Sequence, residues 1–356
     1  MNNSIMFQEI QEEPVALREC IEQNQVMVKF LAEEIRSKNP SYLVLAARGT
    51  SCNAAKFAKY VFETYVGLPV MIAAPSVLTK YGGKLKLSNA VVVGISQSGA
   101  AQDVCSLIDR GNRDGSLTVA ITNTEGSLLS QRAKFHLNCC AGLEKSLAAT
   151  KTFLCQLALL TQLAAQLSGE PRLLDLVKRL PRIAAAMLDR TQELSRMAHR
   201  YRFMNECFIL ARGLNYPIAL EFGIKTQETS FVRSRAYSVA NFTHGPIAML
   251  RDFIPVFVLA TDAATDENTC EMIKRLKNQR CDVCVITNKQ EIADLAGGNA
   301  VLLPPECEGV AGGFACATVI QLFACELSVQ RGNNPRRSGR TDKGDGHRLT
   351  AGARYD

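Results

Sequence analysis

The stretch Val91-Val92-Val93-Gly94-Ile95-Ser96-Gln97-Ser98-Gly99, followed by Asp103, decides how the chain is read. An apolar run rich in β-branched residues is the pattern of a strand buried in a parallel sheet. The run stops at Ser96, Gln97 and Ser98, three hydrogen-bonding residues, and a glycine. Residues 100–109 then show helical spacing, with Val104, Leu107 and Ile108 on one face. Ser96, Gln97 and Ser98 are thus expected on a short loop between a strand's carboxyl end and a helix's amino end. Unpaired backbone N–H groups and the positive end of the helix dipole meet at such a loop, which suits a phosphate. Gly99 lets the backbone come close to a ligand. The same residues also fit an ordinary polar turn in which a serine caps the helix, and the rest of the chain has to separate the two.

Similar units flank this one. Residues 1–38 read as a helical segment, with Ile10, Leu17, Ile21, Val28, Leu31 and Ile35 on one face and a break at Pro14. Such a segment would cover one end of a domain or reach a partner subunit. Strands are expected at Tyr42–Ala47, Val70–Ala74, Val91–Ile95, Leu117–Ile121 and Phe135–Cys139. A tight polar turn is expected at Arg48–Ser51, a helix over Cys52–Tyr65 and a long helix over Ala148–Gln166. Strands alternating with helices indicate βαβ units and a parallel sheet covered on both faces, with ligands at the carboxyl ends of the strands. Gly49–Ser51 and Ser96–Gly99 both lie at those ends.

After Gly169-Glu170-Pro171 and a helical region over Leu173–His199, the pattern restarts. Cys207–Ala211 followed by Arg212-Gly213 echoes Leu43–Ala47 followed by Arg48-Gly49. Further strands are expected at Val256–Ala260, Val283–Thr287 and Ala300–Leu303. The fold expected is therefore α/β, two tandem doubly wound parallel-sheet domains of flavodoxin-like three-layer form. The segments are 1–38 (helical), 39–170 (first domain), 171–335 (second domain) and 336–356 (tail). In the second copy the loop matching Ser96–Gly99 is Thr261–Asp266, whose two carboxylates would repel phosphate, so only the first copy is expected to keep a phosphate site.

Composition narrows the class. With 356 residues, 47% hydrophobic and 21% charged, the chain is of two-domain size and has an ordinary globular balance. No apolar run is expected to reach the roughly 18 residues needed to span a bilayer, and the start, Met1-Asn-Asn-Ser, is not expected to be a signal peptide. The thirteen cysteines are scattered in apolar contexts, as reduced core thiols would be, and the expectation is a cytoplasmic protein that does not bind membranes. Cys281-Asp-Val-Cys284 has CxxC spacing but falls in an expected strand, where the two would face opposite sides. No second pair accompanies it, which argues against zinc. Of the net charge of +7, residues 336–356 supply +3, and the remainder forms no basic stripe for nucleic acid.

Taken together, ArgGlyThrSer at 48–51, SerGlnSerGly at 96–99, GluLysSerLeuAlaAlaThrLys at 144–151, ArgGlyLeuAsnTyrProIleAlaLeuGlu at 212–221, Lys225 with Glu228, and His244-Gly-Pro246 resemble the double sugar-isomerase (SIS) domain proteins. These comprise the isomerase half of glutamine–fructose-6-phosphate aminotransferase, the second-type glucosamine-6-phosphate deaminases and their relatives. The resemblance runs over about residues 30–335. It implies that Ser51, Ser96, Gln97 and Ser98 hold the sugar phosphate, that Thr50 also contacts the substrate, and that Leu147 to Thr150, with Ala149 among them, line the sugar. Glu228 would move a proton between C1 and C2, Lys225 would sit beside the open-chain sugar, and His244 would assist ring opening, in relatives from the neighbouring subunit. A homodimer with its active site at the subunit interface is implied. From the residues alone, Lys225 and Glu228 share a helix face, a spacing that a solvated surface pair has too. His244 precedes Gly-Pro and so is expected in a turn.

The chain is expected to lack the family's glutaminase domain and its initiating cysteine, so aminotransfer would have no ammonia source. Met6-Phe-Gln-Glu-Ile10, Glu13-Pro14, Ala74-Pro-Ser-Val77 and Tyr81-Gly82 are similar to the second-type deaminases. The reaction implied is glucosamine 6-phosphate plus water to fructose 6-phosphate plus ammonia, with no metal or redox cofactor because the proton transfer is internal. Alternatives are a deglycase, a deaminase for another hexosamine phosphate such as galactosamine 6-phosphate, or a non-catalytic phosphosugar sensor. No helix-turn-helix with a basic recognition helix supports the sensor. Ala149 stands where the aminotransferase type has serine. Asn241 and Thr243 replace an acidic and a basic residue common in relatives.

The tail departs most. Relatives end on a segment of the type NPDxPxGLxKVTxT whose lysine reaches the active site, whereas here Asn333-Asn-Pro335 runs into Arg336-Arg-Ser-Gly-Arg. Removing one base after Pro335 in a permitted back-translation yields DAPDGLTKVTD. The tail therefore reads as the product of a frameshift and is expected to be disordered and without the family lysine.

Overall fold

The computed structural model describes residues 4–333; the tail at 336–356 lies outside them. The elements run α1 (Ile5–Gln11), α2 (Glu13–Lys38), β1 (Tyr42–Ala47), α3 (Gly49–Tyr65), β2 (Val70–Ile72), α4 (Ser76–Thr79), β3 (Ala90–Ile95), α5 (Gln102–Arg113), β4 (Leu117–Thr122), α6 (Leu128–Arg132), β5 (Phe135–Asn138) and α7 (Lys151–Ser168). After α8 (Pro171–Leu188) and α9 (Thr191–Tyr201) come β6 (Glu206–Ala211), α10 (Asn215–Ser230), β7 (Arg233–Ser238), α11 (Val239–Thr243), β8 (Pro255–Ala260), α12 (Asp266–Asn278), β9 (Asp282–Thr287), α13 (Gln290–Leu295), β10 (Ala300–Leu302) and α14 (Val310–Gln330).

Two five-stranded sheets result, and their strands pair in parallel. The first has the order β2-β1-β3-β4-β5 and the second β7-β6-β8-β9-β10, the same winding. The repeat signalled by the two Arg-Gly pairs extends to backbone geometry: Gly49 and Gly213 leave their strands with φ of 51° and 59°. Each sheet has its own outer core, while one continuous core runs between the domains through α2, α7, α10 and α14. Cys281 lies in the outer core of the second sheet and Cys284 in the shared core, on opposite faces as alternation requires.

Several local expectations are corrected. The N-terminal segment is two helices that break at Glu12, with Pro14 in the first turn of α2, where its missing N–H costs nothing. The residues expected as a tight turn, Gly49 to Ser51, are the first turn of α3, because left-handed Gly49 feeds β1 straight into the helix. Helix α5 starts at Gln102 and α7 at Lys151, later than the spacing suggests. The region 173–199 is two helices, α8 and α9. Strand β7 was not anticipated: Arg233, Ser234, Arg235 and Ser238 give it no apolar pattern, and it sits at a sheet edge where one side is solvated. The expectation that no apolar run reaches a spanning length is corrected as well: α14 contains an 18-residue window with a mean hydropathy of 1.7. That window is wholly buried in protein: a Cβ at Gly312 would overlap Thr261 of the second domain, and one at Gly313 would overlap Phe57 of the first. A helix apolar all round is buried on all sides.

Candidate functional site

Strands β1 and β3 are neighbours, and β2 and β4 leave them in opposite directions, so the crevice beyond their carboxyl ends is the topological switch point of the first sheet. Two helix N-termini open into it. Neither α3, after Arg48, nor α5, after Ala101, receives a side-chain cap, so first-turn N–H groups stay available to an anion. The serine-cap reading of Ser96–Gly99 is thus replaced by a longer loop, in which Ser98 Oγ accepts locally from Ala100 N at 3.3 Å. The loop backbone is fixed to β4: Ser96 N donates to Ile121 O at 3.0 Å and Asn123 N to Gln97 O at 2.9 Å. Gly99 has a φ of 64°, and a Cβ there would overlap Ser127. Arg48 pairs with Asp103 across the mouth of the crevice.

Below this loop the two domains share a buried polar network. Helix α10 carries Glu221, Lys225 and Glu228 as one stripe. Lys225 is wholly buried and spends its three donors on Glu221 Oε1 at 3.1 Å, Glu228 Oε2 at 3.2 Å and Thr50 Oγ1 at 3.4 Å. Glu221, also wholly buried, further accepts from Thr50 Oγ1 at 3.0 Å and Asn53 Nδ2 at 2.9 Å. Burial alone would lower the Lys225 pKa, but the adjoining carboxylates of Glu221 and Glu228 reverse that and raise it above its ordinary value. Lys225 therefore stays an ammonium. Glu228 has a side chain 35% exposed, and its Oε1 has no hydrogen-bond partner among the described residues. The solvated-pair reading of Lys225 and Glu228 is thus excluded by the burial of Lys225.

A second network holds the loop before α7. Glu144 Oε1 accepts from Thr150 N at 2.8 Å, Thr150 Oγ1 at 3.1 Å and Thr152 N at 3.2 Å. Its Oε2 accepts from Thr152 Oγ1 and, at 3.1 Å, from Gln97 Nε2. From the N-terminal segment, Glu9 accepts from the N–H groups of Lys145 and Ser146, and Glu12 pairs with Lys151. The segment thus buttresses the loop 144–151.

Among the residues singled out in the sequence, the fold joins Thr50 to Lys225 and, through that ammonium, to Glu228. It ties Gln97 to Thr150 through Glu144. Ser51 is buried in the first turn of α3, Ser96 and Ser98 line the loop, and Leu147 and Ala149 sit between the two anchors of their segment. His244 is elsewhere: exposed at the end of α11, it lines a groove with Arg212, Thr243, Asn268 and Arg275. Asn53 and Thr152 are outside the residues singled out from the sequence, while Glu221 and Glu144 stand in the quoted motifs without a role assigned to them. Glu221 had a signal, its i−4 spacing from Lys225; Asn53 and Thr152 had none. Among the described residues no group of three or more His, Cys, Asp or Glu is placed to hold a metal.

The SIS domain profile matches residues 35–166 and 204–331. The glutamine–fructose-6-phosphate aminotransferase of Aquifex aeolicus is 29% identical over 344 residues, which are 94% of this chain and 57% of that protein. The chain thus spans about half the length of the curated relatives it matches. Among solved structures, a candidate phosphosugar isomerase from Silicibacter pomeroyi aligns with a TM-score of 0.84 at 26% identity, covering 93% of this chain and 99% of that one. The glucosamine-6-phosphate deaminase of Thermotoga maritima shares the fold with a TM-score of 0.73 at 21% identity, covering 96% and 99%. With a match across both halves, the chain belongs to the SIS-domain family.

Proposed function

We propose that the protein is an aminosugar-phosphate deaminase of the aldose–ketose isomerase kind, turning glucosamine 6-phosphate and water into fructose 6-phosphate and ammonia. The observation that carries this reading is the Lys225 ammonium held between Glu221 and Glu228 beside Thr50, at the end of the crevice where two helix N-termini can take a phosphate. In this reading the phosphate sits at Ser51 and Ser96–Ser98, and the sugar lies along Leu147–Thr150. The free oxygen of Glu228 takes the proton from C2 of the open-chain aminosugar and returns it to C1. The C2–H electron pair becomes the C1–C2 double bond while the C1=O π pair moves onto O1, which takes a proton from water, giving an enolamine. Protonation at C1 then draws the nitrogen lone pair into a C2=N bond and gives the protonated 2-imine, and a proton is returned to solvent, in place of the one taken up at O1, when water adds. Water adds to the imine and ammonia leaves, so atoms and charge balance without an oxidant. Lys225 fixes the position of Glu228, and the buried Glu221 compensates the ammonium. His244 reaches the sugar from a second copy of the chain. The stretches similar to second-type deaminases, Met6–Ile10 and Ala74–Val77 among them, favour deamination over transfer.

The test is ammonia release from glucosamine 6-phosphate beside galactosamine 6-phosphate, with residues 336–356 as given and with the alternative frame that restores the family lysine. Release from glucosamine 6-phosphate by the restored chain is expected. Release by neither chain, with tight sugar-phosphate binding by both, would overturn the deaminase reading in favour of a sensor.

A further inference from the structure

Glu144 does something that the reaction does not require of it. It is half-buried and touches neither Lys225 nor Glu228, yet it accepts five hydrogen bonds, three on Oε1 and two on Oε2. Four of the donor groups belong to the first turn of α7 and its approach. The carboxylate therefore closes that helix N-terminus, where its charge is favoured by the dipole. Among the described residues no side chain takes the first-turn N–H groups of α3 or α5 in this way, and neither helix has a capping side chain of its own. Anion-binding capacity is thereby concentrated on the crevice and removed from α7. The fifth bond is the link: Gln97 Nε2, in the middle of the crevice loop, is held at 3.1 Å by an oxygen fixed to a different helix. A carboxylate can only accept, so this bond also sets which way the Gln97 amide faces.

We infer that Glu144 is a positioning residue that orients the Gln97 amide for the anion in the crevice and couples that loop to the sugar-lining segment Leu147–Thr150. The inference rests on reading Ser96–Gly99 as a phosphate loop and would hold for either a deaminase or a sensor. It requires that Glu144 act on ligand binding through Gln97 and not merely through the stability of α7.

The experiment is a double-mutant cycle on the full chain with Glu144→Gln, Gln97→Ala and the double variant. Inorganic phosphate and glucosamine 6-phosphate are titrated calorimetrically, and thermal midpoints are followed in parallel. Losing a charge-assisted bond that orients a binding group is expected to weaken phosphate about tenfold or more. With Gln97 already replaced, the same substitution is expected to change phosphate binding less than about twofold. Thr152→Val, which takes one donor from the oxygen that Gln97 shares, serves where Glu144→Gln does not fold. Its expected loss is about two- to fivefold, again only with Gln97 present. Equal weakening with and without Gln97, or a lowered melting point with unchanged phosphate affinity, would overturn the inference. Absence of phosphate binding by the unaltered chain would overturn it too. Coupling without ammonia release from any aminosugar phosphate would leave it standing and remove only the deaminase.

Discussion

Glu13→Gln should reverse a pH-dependent instability built into the interior where α2 meets α14. Glu13 is wholly buried in the first turn of α2, with Oε2 accepting from Thr318 Oγ1 at 2.8 Å and Oε1 without a partner. Burial pushes its carboxyl up from 4.5 to about 8; the Thr318 bond offsets part of this, and the charge of Glu144 adds to it. The unfolded chain gives up this proton near the ordinary value and the folded chain only near 8, so between the two the folded state holds more protons. The contribution of Glu13 to stability is thus fully present below about pH 4.5, falls as pH rises and levels off above about 8. At about 1.4 kcal/mol for each pH unit, the loss across that window is at most about 5 kcal/mol. Glutamine keeps the shape and an acceptor for Thr318 but never ionises. Urea midpoints of the two proteins are therefore expected to be close near about pH 5 and to separate in favour of the variant by several kcal/mol at about pH 9. Comparing the proteins at each pH removes titrations common to both. A difference that stays constant from about pH 5 to about pH 9 would refute the buried neutral acid.

Further outcomes follow from the same geometry. Lys225→Met removes the partner of a buried ion pair and leaves Glu221 uncompensated in the interior, and urea denaturation should show a loss of about 3–5 kcal/mol; an unchanged midpoint would refute the buried pair. Glu228→Gln, at a partly exposed position, should cost less than about 1 kcal/mol of stability while lowering ammonia release at least about a hundredfold. Activity near that of the unaltered chain would remove Glu228 from the proton transfer. Mixing and refolding inactive Glu228→Gln and His244→Ala chains should recover roughly a quarter of native activity if His244 serves the neighbouring copy; no recovery would place both in one chain's site. Arg48→Ala should leave stability within about 1 kcal/mol, because its pair with Asp103 is exposed on the arginine side, while phosphate binding weakens in a salt-dependent way. A large drop in melting temperature would contradict the surface placement of that pair.

The sequence alone determined the architecture, and for a local reason. A strand buried on both faces has to be a short apolar run, so β1, β3, β4, β6, β8 and β9 are visible within windows of six residues. The Arg-Gly junctions that announce the repeat are equally local, since only glycine enters the left-handed turn cheaply. The loop Ser96–Gly99 was legible because strand, polar break and helix adjoin in the chain. The tertiary structure alone decided what depends on residues far apart. Thr50 and Glu221 stand 171 positions from one another, and nothing in either neighbourhood tells that their contact turns a surface-like Lys225/Glu228 spacing into a buried charge network. The tie between Gln97 and Glu144 and the separation of His244 from that network are of the same kind. Edge strand β7 escaped because a half-solvated strand needs no apolar pattern. Periodicity records which face of an element is buried; which partner buries it is settled only when the chain is folded.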